Sequence, residues 1–121
     1  MTDANTEAQR YIAIWNETDA TRRTALIAES WHEAATYIDP LMRGEGREQI
    51  NALVEAVHAR FPGFRFELVG TADGYGDNLR FSWGLGPTGG EHLIKGTDFA
   101  VLEGGRLKSV HGFTDQLPEA A

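Results

Sequence analysis

Cysteine is absent from this chain of 121 residues, which excludes disulfides, thiolate zinc sites, iron–sulfur clusters and a cysteine nucleophile. Basic residues are scarce. Eleven Lys and Arg against 18 Asp and Glu leave a formal charge of −7, and Arg22-Arg23 is the longest basic run. Nucleic acid is therefore not an expected partner, because phosphate binding needs a clustered cationic surface. No apolar run approaches the ~18 residues of a membrane span, so no membrane partner is expected either. The start, Met1-Thr2-Asp3-Ala4-Asn5, lacks the basic and apolar stretches of a secretory signal. Repeats, low-complexity segments and linkers are also missing. Hydrophobic residues at 41 % and charged residues at 24 % fit a packed globular core rather than disorder. The expectation is one soluble, cytoplasmic domain over residues 1–121.

The first half carries helical periodicity. Residues 6–17 place Ala8, Tyr11, Ile12 and Trp15 on one face, with Thr6 and Gln9 spaced as a capping box. Asp19 or Thr21 can cap a second helix whose apolar face takes in Ala25, Leu26 and Trp31. A third begins near Gly46: Ile50, Leu53, Val54, Val57 and Phe61 recur at helical spacing, and Pro62-Gly63 stops it. Between these helices Thr36 to Pro40 reads as a short strand ended by proline.

Beyond Gly63 the period becomes two. Phe64, Phe66 and Leu68 form one strand, and Leu79, Phe81, Trp83 and Leu85 the next, joined by the loop 73–78. Residues 92–102 and 107–116 supply two more around a turn at Glu103 to Arg106. Three helices followed by an antiparallel meander predict an α+β fold with a curved sheet wrapped on the helices.

Several signals carry little. Gly84, Gly86 and Gly89 match the spacing of a dinucleotide-binding loop, but the segment after them reads as a strand where that motif needs a helix. Asp73 and Asp77 lack the regular oxygen ligands of a calcium loop. The four histidines include no pair at metal-ligand spacing, so no metal is expected. His32, His58 and His92 read as surface residues. His111, inside the last strand, is either a core histidine satisfied by a neighbour or a pocket acid/base.

Three polar residues fall where the pattern predicts interior: Tyr11 on the first helix's stripe, Asp39 at the end of an apolar strand, and Asp98 in mid-strand. Asp39 also suits a plain strand-ending turn. A carboxyl among apolar neighbours is costly to ionise. Asp98 is therefore expected to be neutral at neutral pH, leaving the chain at about −6. Two carboxyls and a phenol on one cavity equip it to move a proton next to a carbonyl and hold the oxyanion that forms.

These stretches resemble a known family. Gln9 to Ala13, Asn16 and Asp19 beyond them, Ala35 to Pro40, and Thr97-Asp98-Phe99 are similar to matching stretches of ketosteroid isomerases. The order of elements, from about Thr6 to Gln116, resembles the nuclear transport factor 2-like superfamily with its SnoaL-like polyketide cyclases. The resemblance implies a cone-shaped, cystatin-like fold with a pocket between sheet and helices, commonly in a homodimer. It implies Asp39 as general base and Tyr11 and Asp98 as oxyanion donors, acting without a cofactor on a small apolar carbonyl compound. Trp15, Trp31, Phe81, Trp83, His111 and Phe113 are expected to line the substrate pocket. Two alternatives stay open: a non-catalytic ligand-binding or dimeric interaction module, and a hydrolase or dehydratase in which His111 helps activate water.

Overall fold

A computed structural model describes residues 3–117. Helix α1 (Ala4–Asn16) starts two residues earlier than its spacing predicts. Asp3, not a Thr6 and Gln9 box, caps it, the Asp3 carboxylate accepting the Thr6 N–H; the anion also suits the positive helix start. Helix α2 (Ala20–Ser30) is capped as expected by Asp19, which accepts the Arg22 N–H at 2.9 Å.

The inward face of α2 differs from the predicted one. Ala25 is exposed, Trp31 opens the following strand, and Arg23 and Ile27 are buried. Arg23 is only 1 % exposed. Its guanidinium donates to Asn51 Oδ1 (2.5 Å), the Glu17 carbonyl (2.7 Å) and Glu55 Oε1 (2.7 Å). A buried guanidinium persists only when its donors are matched in this way, and here it ties α2 to α3.

Strand β1 (Trp31–Ile38) is longer than the predicted 36–40 segment and is followed by a short β2 (Arg43–Glu45) that the sequence did not signal. Helix α3 (Gly46–Arg60) buries Ile50 and Val54. The meander comprises β3 (Phe64–Tyr75), β4 (Asn78–Pro87), β5 (Ile94–Glu103) and β6 (Arg106–Gln116). The predicted 73–78 loop tightens to a two-residue turn, because Tyr75 already pairs with Asn78 and Gly76 supplies the positive φ of 55°. No helix follows Gly89; the chain runs through a turn to β5.

The six strands lie in the order β2-β1-β6-β5-β4-β3, a curved sheet that does not close. This is the expected α+β cone with one refinement. The meander is antiparallel throughout, but β1 joins β6 in parallel, so the sheet is mixed. That pairing fixes the end of β1 beside the middle of β6, with Ile38 opposite His111. The core between sheet and helices centres on Trp31, Phe81, Ile14, Ile27, Ile50, Val54 and Val110. Several contacts dock α1, among them the Ala72 N–H donating to Asn5 Oδ1 at 2.7 Å. Asn16 pairs both ways with the Phe66 backbone, and His58 of α3 donates to the Trp15 carbonyl. His58 is thus half-buried and structural rather than a surface residue. No described helix is long and apolar enough to cross a membrane.

Candidate active site

Alternation along β5 turns Asp98 inward, opposite Phe81 on β4 and Gly112 on β6. The carboxyl is 2 % exposed. Its Oδ2 accepts the Tyr11 hydroxyl at 2.7 Å and its Oδ1 accepts the Trp83 indole N–H at 3.0 Å. Tyr11 comes from the inward stripe of α1 and is braced edge-on by Phe81 at 5.0 Å and by Trp31 at 5.9 Å. Trp83 reaches Asp98 because its strand partner is Gly96: a Cβ there would collide with the indole ring.

Asp39 leads the turn between β1 and β2. Its Oδ1 accepts the N–H groups of Leu41 (2.8 Å) and Met42 (2.9 Å), and its own N–H donates to the Met42 carbonyl. The plain turn role and the interior placement therefore coexist in one residue. Oδ2 accepts the Tyr37 hydroxyl at 2.6 Å. Tyr37 is a member of the site that sequence reasoning missed. It lies two residues before Asp39, so period-two alternation carried one residue past the end of β1 puts both side chains on the same side of the chain, and that spacing was the available signal.

Gly112 is the meeting point of the two Tyr–Asp pairs. A Cβ on it would lie 3.0 Å from Asp98 Oδ1, 3.1 Å from the Asp39 Cβ and 3.4 Å from the Tyr37 hydroxyl. The absence of a side chain at 112 lets the two acids approach the same space.

Burial raises the Asp98 pKa to about 6, with the nearby Asp39 charge adding to the rise, while the Trp83 and Tyr11 donors act against it. At neutral pH the carboxyl is therefore mostly ionised. This corrects the expectation of a neutral Asp98 and of a charge near −6: two donors aimed at the anion offset part of the desolvation cost. Both phenols are shifted upward. Tyr11 is raised by burial and then by Asp98, and Tyr37 by burial and then by Asp98 and Asp39. Both keep their protons and serve as donors.

The four groups stand in the wall of a cavity of about 450 Å³ whose remaining wall is largely apolar, including Ile12, Val57, Phe66, Leu85 and Ile94. That volume lies in the ~300–1,000 Å³ range of small-molecule sites. Trp15, Trp83 and the 62 % exposed Phe113 border it as expected. Trp31 and Phe81 do not. They are 0 % and 2 % exposed and pack behind Tyr11 in the core, where among the described residues the Trp31 indole N–H finds no partner. His111 does not line it either. Val110 and Gly112 point inward, so alternation turns His111 to the exposed outer face beside Ile38 and Phe99. Without His111 the cavity has no imidazole, and the water-activating hydrolase alternative loses its residue. Among the described residues no cluster of three or more His, Cys, Asp or Glu is placed to hold a metal ion.

Fold and cavity together define a cone-shaped α+β pocket protein with two phenols and two carboxyls in an apolar wall. The profile of the SnoaL-like domain matches residues 8–110, and the chain belongs to that family. Among solved structures it is similar to a SnoaL-like family protein of Agrobacterium tumefaciens, an isomerase by assignment only. The identity is 47 % over 95 % of this chain and 99 % of that one, with a TM-score of 0.90. Two more distant structures share the fold. One, from Kribbella flavida and assigned as a ketosteroid isomerase, has 19 % identity, 98 % and 82 % coverage and a TM-score of 0.71. The other, from Sinorhizobium meliloti and assigned as a polyketide cyclase, has 15 % identity, 88 % and 93 % coverage and a TM-score of 0.70. No curated protein matches the chain.

Proposed function

We propose that the chain is an acid/base enzyme of the isomerase or cyclase type, moving a proton next to the carbonyl of a small apolar compound without a cofactor. The observation that carries this reading is the meeting of Tyr11, Tyr37, Asp39 and Asp98 around Gly112 in an apolar cavity. Asp39 is the general base. Its Oδ1 is filled by two backbone N–H groups, whereas Oδ2 accepts only Tyr37 and keeps a lone pair for a substrate proton. Tyr11 turns its retained proton from Asp98 to the carbonyl oxygen as negative charge develops there. Asp98, protonated as the pH falls through about 6, supplies a second donor. The isomerase assignment of the Agrobacterium relative supports the reaction class. The test is turnover of an accepted enone: Asp39→Asn lowers it by about 10²-fold or more, and equal rates refute the assignment.

A second reading, a ligand-binding module without turnover, is favoured by one observation. Both Asp98 oxygens and most of the Asp39 acceptor positions are already filled from within the protein. On that reading a ligand binds tightly without being converted, and Asp39→Asn leaves affinity nearly unchanged.

A homodimer is part of the proposal, with residues 1–121 as one SnoaL-like domain. Ile38 and Phe99 are 43 % and 38 % exposed on the outer face of the sheet, flanking His111, and such a patch favours cover by a second copy. A monomer in light scattering at micromolar concentration contradicts it. A cytoplasmic home is the remaining expectation, checked by cell fractionation.

A further inference from the structure

We infer that Arg60 makes the cavity selective for a carbonyl compound bearing a carboxylate at the end that stays at the mouth. The inference rests on the cavity being a ligand site, as proposed above. Arg60 ends α3, is exposed, and is the one cation among the described residues that border the cavity. Its guanidinium lies 5.6 Å from the centroid of the Phe61 ring, which also borders the cavity, and that aromatic face holds the cation at the opening. Among the described residues it forms no ion pair, whereas Arg22, Arg23 and Arg80 each meet a carboxylate. Nor does it neutralise the cavity's own acids, because Asp39 and Asp98 take their hydrogen bonds from Tyr37, Tyr11, Trp83 and backbone N–H groups.

Charge is therefore polarised along the site. Two acids stand in the wall where a carbonyl would react, and one cation stands at the mouth. An anionic group on the ligand is repelled by the acids and held by Arg60, which orients the molecule with its carbonyl inward. On a chain of net charge −7 no diffuse surface attraction would do this, so the selection is local. A plainer role also suits Arg60, since a cation in the last turn favours the carbonyl end of a helix. That role is indifferent to ligand charge.

The experiment measures calorimetric binding of a medium-chain oxo acid, with its ketone next to the terminal methyl, and of the same molecule as its methyl ester. At low salt the wild type is expected to bind the acid about 10-fold more tightly than the ester. The advantage shrinks as salt is added, and in Arg60→Gln the acid falls to the ester's affinity. Equal affinity for acid and ester in the wild type overturns the inference, as does an Arg60→Gln that weakens both by the same factor. Either result leaves the ligand site standing. If neither compound binds, the ligand site and this inference fall together.

Discussion

Asp98 gives the most quantitative prediction. Its pKa is about 6 in the folded chain against an ordinary value of 3.8. The folded state thus holds this proton more tightly than the unfolded state does. The resulting stabilisation is complete below about pH 4 and is lost as the pH rises through about 6. A shift of about two units corresponds to about 3 kcal/mol. Since Asp98 is 2 % exposed, solvent screening takes little from it. The perturbation is Asp98→Asn, which removes this titration and leaves every other ionisable group in place. Urea unfolding of both proteins from about pH 4 to about pH 7.5 is the assay. The wild type is expected to lose about 2 kcal/mol of this stabilisation relative to the variant between these two pH values. A stability difference that stays constant with pH would refute the reasoning, because it would mean that burial does not perturb the Asp98 carboxyl.

Tyr11→Phe removes a donor that favours the ionised form, so the Asp98 transition, followed by carboxyl-carbon NMR, moves above about 6. Gly112→Ala inserts a methyl 3.0 Å from Asp98 Oδ1 and 3.1 Å from the Asp39 Cβ. Thermal unfolding should show a loss of about 1–3 kcal/mol, and ligand affinity should fall with it. Arg23→Met strips three hydrogen bonds, two from α2 to α3 and one to the Glu17 carbonyl at the end of α1. Glu55, whose side chain is 54 % exposed, is then left to solvent, so the expected cost in urea unfolding is about 3 kcal/mol rather than that of a fully buried pair.

Most of the fold was legible because its elements obey simple periods. The α3 stripe of Ile50, Leu53, Val54 and Val57 and the alternation from Phe64 to Leu85 mark helix and strands without tertiary information. The parallel β1–β6 pairing was not legible. It joins segments about 75 residues apart in the chain, and no local pattern encodes such a partner. Arg23 was hidden for a related reason. Its burial depends on acceptors from Glu17, Asn51 and Glu55, whereas its own neighbours read as a solvated face.

At the site, Tyr11 and Asp98 stood out as polar residues in apolar stripes, and the structure joins them at 2.7 Å. Tyr37 was read only as part of a short strand. Gly96 and Gly112 carried no signal, because their contribution is the space that they leave for Trp83 and for the two aspartates. His111 was undetermined until strand phase was known: shifting the register by one residue exchanges the inner and outer faces.

The central claim is that the cavity abstracts a proton next to a carbonyl. Incorporation of deuterium from heavy water at the carbon beside the carbonyl of a small apolar ketone, followed by NMR, tests it most directly. Wild type should exchange that position at least about 10²-fold faster than Asp39→Asn. Identical exchange in the two proteins, in the presence of a ketone shown to occupy the cavity, would contradict the account and leave the chain as a binding protein.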